Sequence, residues 1–193
     1  MVLYLFITHR DNLGKSLSNI PKMISEDYVI SCGGSIKDGY DENRKVINLN
    51  CNDGYAGLPE KVMKSFHFIL SDYRFSKYTH IAKLDDDMKI VKRIDVVSGD
   101  YLGNVNYGDG NRQWHIGRCG NFWDKIPYLG EFKPWCMGGF GYIVSRGSIE
   151  KICPNFEYLG HIYEDVYVGT LMDRIGISPI KINTTDYFVS PDH

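Results

Sequence analysis

The first apolar run, Val2-Leu3-Tyr4-Leu5-Phe6-Ile7, shows no polar alternation and gives way after Thr8 to a polar loop. A continuous β-prone run of this kind predicts a central strand buried on both faces. Residues 27–31 predict a second strand, stopped by Gly33 and Gly34, and residues 46–49 a short third. From Leu58 the period changes. Val62, Met63, Phe66, Ile69 and Leu70 fall on one helical face, and Pro59 sits in the first turn, where its missing N–H is tolerated. Residues 78–84 predict another strand that runs directly into Asp85-Asp86-Asp87.

Residues 99–134 are rich in Gly, Asn, Tyr and Trp with weak periodicity, and a loop of that length in a compact domain is usually functional. Beyond it, residues 141–145 predict a strand and 148–152 a short helix. Residues 164–175 predict a further helix, closed by Gly176 at a C-cap, and 181–183 and 187–189 predict terminal strands. Strands alternating with helices imply an α/β fold with a central, mostly parallel sheet flanked by helices. No internal repeat or boundary divides the chain, so residues 1–193 are expected to form a single domain.

Composition narrows the class. The chain has 193 residues, 43% hydrophobic and 24% charged, which is ordinary for a globular protein. A net charge of −2 lacks the basic excess of an electrostatic nucleic-acid binder. Cys32, Cys51, Cys119, Cys136 and Cys153 are odd in number and scattered, which argues against a disulfide framework or a zinc cluster and for a reducing compartment. The apolar start lacks the parts of a signal peptide, and no run approaches the length that spans a bilayer, so a soluble, cytoplasmic protein is expected.

Three segments carry candidate chemistry. Asp85, Asp86 and Asp87 repel one another, and a strand end that holds all three calls for a cation; oxygen ligation suits Mn²⁺ or Mg²⁺. In extended backbone Asp85 and Asp87 face one side, towards one metal, while Asp86 faces the other, towards a ribose or base. A solvated acidic turn is the plainer alternative. Trp135 to Tyr142 contains Gly138, Gly139 and Gly141, which let backbone approach a ligand or simply form a tight turn. Glu164 and Asp165 open a helix, where acids also favour the positive end of its dipole.

In order along the chain, these segments resemble the β-1,3-galactosyltransferase and Fringe-like family of GT-A glycosyltransferases. The likeness runs from Asp53 to Gly176. It comprises Asp53-x-Tyr55-x-x-Leu58-x-x-Lys61 (with Gly57 where the family has asparagine), Lys83-x-Asp85-Asp86-Asp87, Gly138 to Ser145, and Glu164-Asp165-Val166-Tyr167-Val168-Gly169. The resemblance implies a GT-A-like fold and a hexosyltransferase that moves a sugar from a UDP-sugar to a hydroxyl of a glycan or glycoprotein, with inversion. It implies Asp165 as general base, Asp85, Asp87 and His193 as metal ligands, and Lys61, Asp85, Asp86, Gly138, Gly139 and Glu164 at the donor. Thr8 and Arg10, after the first strand, are candidates for uracil or phosphate contacts. Residues 101–135, with Trp114 and Trp123, are the candidate acceptor cleft. A non-catalytic nucleotide-sugar or glycan-binding module of the same fold and a metal-dependent phosphoryl-transfer enzyme or nuclease are the competing readings.

Overall fold

The computed structural model describes residues 1–95, 97–157 and 161–190. His193, expected at the metal, lies outside the described residues. The strands are β1 (Val2–Thr8), β2 (Tyr28–Cys32), β3 (Gly39–Asp41), β4 (Val46–Asn48), β5 (His80–Asp85), β6 (Lys89–Ile90), β7 (Tyr101–Gly103), β8 (Val105–Asn106), β9 (Trp135–Cys136), β10 (Tyr142–Ser145), β11 (Ile180–Lys181) and β12 (Phe188–Val189). The helices are α1 (Leu13–Met23), α2 (Leu58–Ser71), α3 (Arg146–Ile152) and α4 (Glu164–Arg174).

Eight strands form one sheet in the order β11-β7-β10-β5-β1-β2-β4-β3. The block β5-β1-β2-β4 is parallel, while β10 is antiparallel to both β5 and β7 and β3 is antiparallel to β4. β1 explains why the first run lacks alternation. Leu3, Leu5 and Ile7 enter a core shared with α2, α3 and α4, whereas Val2, Tyr4 and Phe6 enter a second core shared with α1. Both faces are covered, as a parallel sheet requires. This is the α/β architecture expected from the sequence, a largely parallel sheet between helices, and it is consistent with a GT-A-like fold.

α2 begins and buries its apolar face as the period predicts: Val62, Met63, Phe66 and Ile69 are fully buried. α4 ends before Gly176, whose φ of +74° is a glycine C-cap conformation. Two features depart from expectation. α1 fills the loop after β1, and the segment 99–134 supplies β7, a strand of the main sheet, and β8, which pairs with β9. No helix among the described residues is long and apolar enough to cross a membrane, and all five cysteines are free.

The order of the parallel strands opens a crevice. β2 lies on one side of β1 and β5 on the other. The connection to β2 runs through α1 on one face, and the return to β5 through α2 on the other. The carboxyl ends of β1 and β5 therefore form a topological switch point, where open α/β sheets bind ligands.

Gly141, just before β10, has φ +70°, and a Cβ there would stand 2.6 Å from Leu84 Cδ2 and 3.3 Å from the Lys83 carbonyl oxygen. Left-handed backbone and overpacking each cost about 1–2 kcal/mol or more. Gly141→Ala should therefore lose roughly 2–4 kcal/mol in urea denaturation; a midpoint equal to that of the wild type would show that the backbone here is free to relax.

Candidate active site

Each strand end at the switch point delivers a polar group. At the end of β1, Thr8 is buried, and its hydroxyl donates to Asp86 Oδ2. Ser16 Oγ on α1 donates to the same oxygen at 3.1 Å and lies 3.0 Å from Thr8 Oγ1. β5 ends at Asp85 and the chain turns through Asp86 and Asp87, closed by Met88 N–H on the Asp85 carbonyl at 3.2 Å. Extended alternation thus stops at Asp85 rather than running through all three aspartates. Asp85 faces Lys83, Asp86 is held by hydroxyls from β1 and α1, and Asp87 is exposed on the turn.

Arg10 and Lys61 are engaged with protein. Arg10 donates through Nε at 3.1 Å and through a terminal nitrogen to the Gly33 carbonyl, and through the other to Asn48 Oδ1 at 2.9 Å, tying β1 to the ends of β2 and β4. Lys61, buried on α2, donates to the Thr8 carbonyl at 3.0 Å and the Asp53 carbonyl at 3.1 Å, and pairs with Asp53 Oδ1 at 2.6 Å. Those contacts account for its three protons. Burial pushes the Asp53 carboxyl up, but the Lys61 hydrogen bond and the backbone N–H groups of Arg10 and Gly33 outweigh it and hold it below the usual aspartate value. Lys61, Arg10 and Asp53 shape the crevice rather than presenting free charges to it. Gly57 packs so tightly that a Cβ would come within 2.1 Å of the Asn52 carbonyl oxygen.

The two acidic motifs meet through Lys83. Its ammonium, 1% exposed in the middle of the sheet, lies 2.7 Å from Asp85 Oδ1 and 3.2 Å from Glu164 Oε2. Burial disfavours the lysine charge, yet Asp85 and Glu164 more than restore it and raise its proton affinity above the ordinary value. Glu164 also accepts a hydrogen bond from the Tyr142 hydroxyl. Its own carboxyl is pushed up to about 7: burial raises it, Lys83 pulls it back, and the neighbouring Asp165 raises it further. The two shifts are compatible, because Asp85 is the lysine's nearer counter-ion and Glu164 is the additional carboxylate in a dry site.

Asp165 opens α4. Its Oδ2 accepts the Gly138 N–H at 2.8 Å and its Oδ1 the Val166 N–H, also at 2.8 Å. Burial exceeds the effect of both donors and lifts its carboxyl above the usual aspartate range. Gly138 is needed for close approach, since a Cβ would lie 3.1 Å from Glu164 Oε2 and 3.2 Å from Asp165 Cβ. The acid pair, Lys83 and Asp85 line a cleft of about 450 Å³. Gly139, Phe140, Tyr55, Trp114, Arg118 and Tyr163 line the same cleft.

Of the aromatic segment proposed for the acceptor, Trp114 lines this cleft, but Tyr101 and Trp135 are fully buried core residues and Trp123 packs against the buried cluster of Tyr128, Trp135, Ile162, Tyr163 and Val166. The sequence singles out no role for Lys83, Tyr142, Tyr55, Ser16 or Arg118. A lysine between the apolar Ile81, Ala82 and Leu84 of β5 is a signal that Lys83 must have buried partners. Among the described residues no group of three or more His, Cys, Asp or Glu is gathered to hold a metal. Asp85 and Asp87 offer oxygen donors only, which fits a Mn²⁺ or Mg²⁺ that takes one or two carboxylates and completes its shell with substrate phosphates.

Lys83→Met should destabilise the protein by roughly 3–5 kcal/mol, because it leaves the buried Glu164 carboxyl without its counter-ion; a loss below about 1 kcal/mol in denaturant titration would contradict that account. Glu164 gives a pH signature. Its folded value lies above its unfolded one, so its contribution to stability is complete below about pH 4 and is lost as pH rises through about 7. Glu164→Gln, which keeps an oxygen for Tyr142, should flatten the decline of Tm across that window. A wild-type Tm that climbs from about pH 5 to 8 through this group would reverse the sign.

No family model matches the chain. It is 26% identical over 138 residues to a Xenopus laevis protein described as UDP-GalNAc:beta-1,3-N-acetylgalactosaminyltransferase 2, a match covering 69% of this chain and 28% of that protein. The Danio rerio protein of the same description is 26% identical over 132 residues, covering 63% of this chain and 25% of that protein. The crystal structure of A197 from STIV superposes with a TM-score of 0.46 at 17% identity, over 95% of this chain and 82% of that one, a likeness too loose to carry weight. The chain spans about a quarter of the length of the curated relatives it matches, and it is a distant relative of glycosyltransferases described as using UDP-GalNAc.

Proposed function

We propose that the chain is the catalytic portion of an inverting, metal-dependent glycosyltransferase that moves a sugar from a UDP-linked donor to a hydroxyl of a glycan or glycoprotein. The observation that carries this reading is the placement of Asp165. It is a carboxylate of raised proton affinity, oriented by the Gly138 N–H, in a cleft that Asp85 also lines. The distant likeness to UDP-GalNAc transferases supports the donor class.

In this reading the acceptor hydroxyl lies against Asp165, which takes its proton as the oxygen attacks the anomeric carbon. A carboxylate with raised proton affinity is better matched to that task than an ordinary surface aspartate. The two backbone N–H groups on Asp165 fix its orientation, so the base is held for one approach direction. Attack from one face in a single displacement inverts the configuration at that carbon. Glu164 stays out of proton transfer; the Tyr142 hydroxyl and Lys83 hold it as part of the floor. Asp85 and Asp87 would hold Mn²⁺ or Mg²⁺, which supplies charge neutralisation at the departing diphosphate. The Tyr55, Trp114 and Tyr163 rings line the same cleft.

Release of UDP from a panel of UDP-sugars, with and without Mn²⁺, tests the reading. Asp165→Asn should reduce turnover by about a hundredfold or more while binding of UDP with Mn²⁺ persists. Asp87→Ala should abolish the metal-dependent part of UDP binding. Undiminished transfer in excess chelator would overturn the metal assignment, and an active Asp165→Asn would overturn the base.

A further inference from the structure

The cleft that holds Asp165 is also lined by aromatic rings and a guanidinium. Trp114 is 42% exposed although it is among the largest apolar side chains, and it meets the Tyr163 ring edge-on at 5.9 Å. Beside it the Arg118 guanidinium lies 5.6 Å above the Tyr55 ring. Tyr55, packed deep enough that burial pushes its hydroxyl up to about 12, feels both the Arg118 charge and the Asp165 charge. Among the described residues no carboxylate lies within ion-pair distance of Arg118, whereas Arg10 and Lys61 are engaged by protein acceptors and Lys83 by two carboxylates.

Resting on the transferase reading above, the geometry points to an acceptor subsite built from Tyr55, Trp114, Tyr163 and Arg118 that takes a sugar bearing an anionic substituent, a uronic acid or a sulfated or phosphorylated sugar. The aromatic faces suit the C–H face of a pyranose. The rings and Asp165 line one cleft, so a sugar seated on the rings shares its space with the base that takes its proton. A neutral sugar would be served by neutral donors such as Asn or Gln. A guanidinium beside a ring offers paired N–H donors matched to a carboxylate, sulfate or phosphate. It also offsets the repulsion that Asp165 and Asp85 would exert on an acidic acceptor.

Binding of p-nitrophenyl β-glucuronide and p-nitrophenyl β-glucoside, in the presence of UDP and Mn²⁺, distinguishes the cases by calorimetry. The wild-type protein should bind the glucuronide about tenfold more tightly. Arg118→Gln should erase that preference, Arg118→Lys should restore part of it, and Trp114→Ala should weaken both sugars alike. Equal affinity for the two, or binding of neither while UDP with Mn²⁺ still binds, overturns the subsite and leaves the donor reading standing. Loss of UDP affinity in Arg118→Gln, equal to the loss for the glucuronide, would place the guanidinium on the donor diphosphate and overturn the subsite as well. No binding of UDP with Mn²⁺ by the wild-type protein would remove the transferase reading itself.

Discussion

A single ammonium group in the middle of the sheet organises this molecule. Lys83 occupies β5 between β1 and β10, where almost no solvent reaches it. A charge there costs several kcal/mol unless it is paired and hydrogen-bonded. Asp85 from its own strand and Glu164 from α4 meet that requirement, and the requirement runs both ways. The start of α4 must dock against the end of β5, so the acidic turn and the acid pair cannot be placed independently. Tyr142 on β10 and Gly138 ahead of it close the arrangement from the antiparallel side. Elements far apart in sequence thereby share one electrostatic balance.

Around this pivot the polar residues divide by whether their hydrogen-bonding capacity is used up. Lys61, Arg10 and Asp53 satisfy one another and the carbonyls at the carboxyl ends of β1 and β2. They make the switch point rigid, which matters because a misplacement of about 1 Å can cost a catalyst two orders of magnitude. Asp86 belongs to the same group, since two hydroxyls hold one of its oxygens. Asp165 differs. Its donors are backbone N–H groups that orient it without neutralising it, so its basicity survives.

Much of the fold is legible in the sequence where periodicity is strong. β1, α2 and α4 appear almost as the pattern of apolar residues predicts, because each buries a continuous face. α1 escapes that reading, although Leu13, Leu17 and Ile20 keep helical spacing; Gly14, Asn19 and Pro21 lower its local propensity and the contacts with the second core override them. β7 and β8 are hidden in a glycine-rich stretch because two- and three-residue strands carry too few positions to show a period. For the site, the acidic motifs and the glycine pair are visible as local signals. That Asp86 turns back to Ser16, or that Lys61 is spent inside the protein, depends on contacts made between distant segments, which no local spacing encodes.

The short ladder between β6 and β12 has a mechanical meaning. β6 begins just beyond Asp87, and among the described residues its ladder partner is β12, Phe188–Val189, near the end of the chain. Phe188 also packs edge-on against Tyr4 of β1. The aspartate turn is thus held between β5 in the main sheet and the β6–β12 ladder, so the placement of the three carboxylates is coupled to the backbone at Val189 as well as to the sheet.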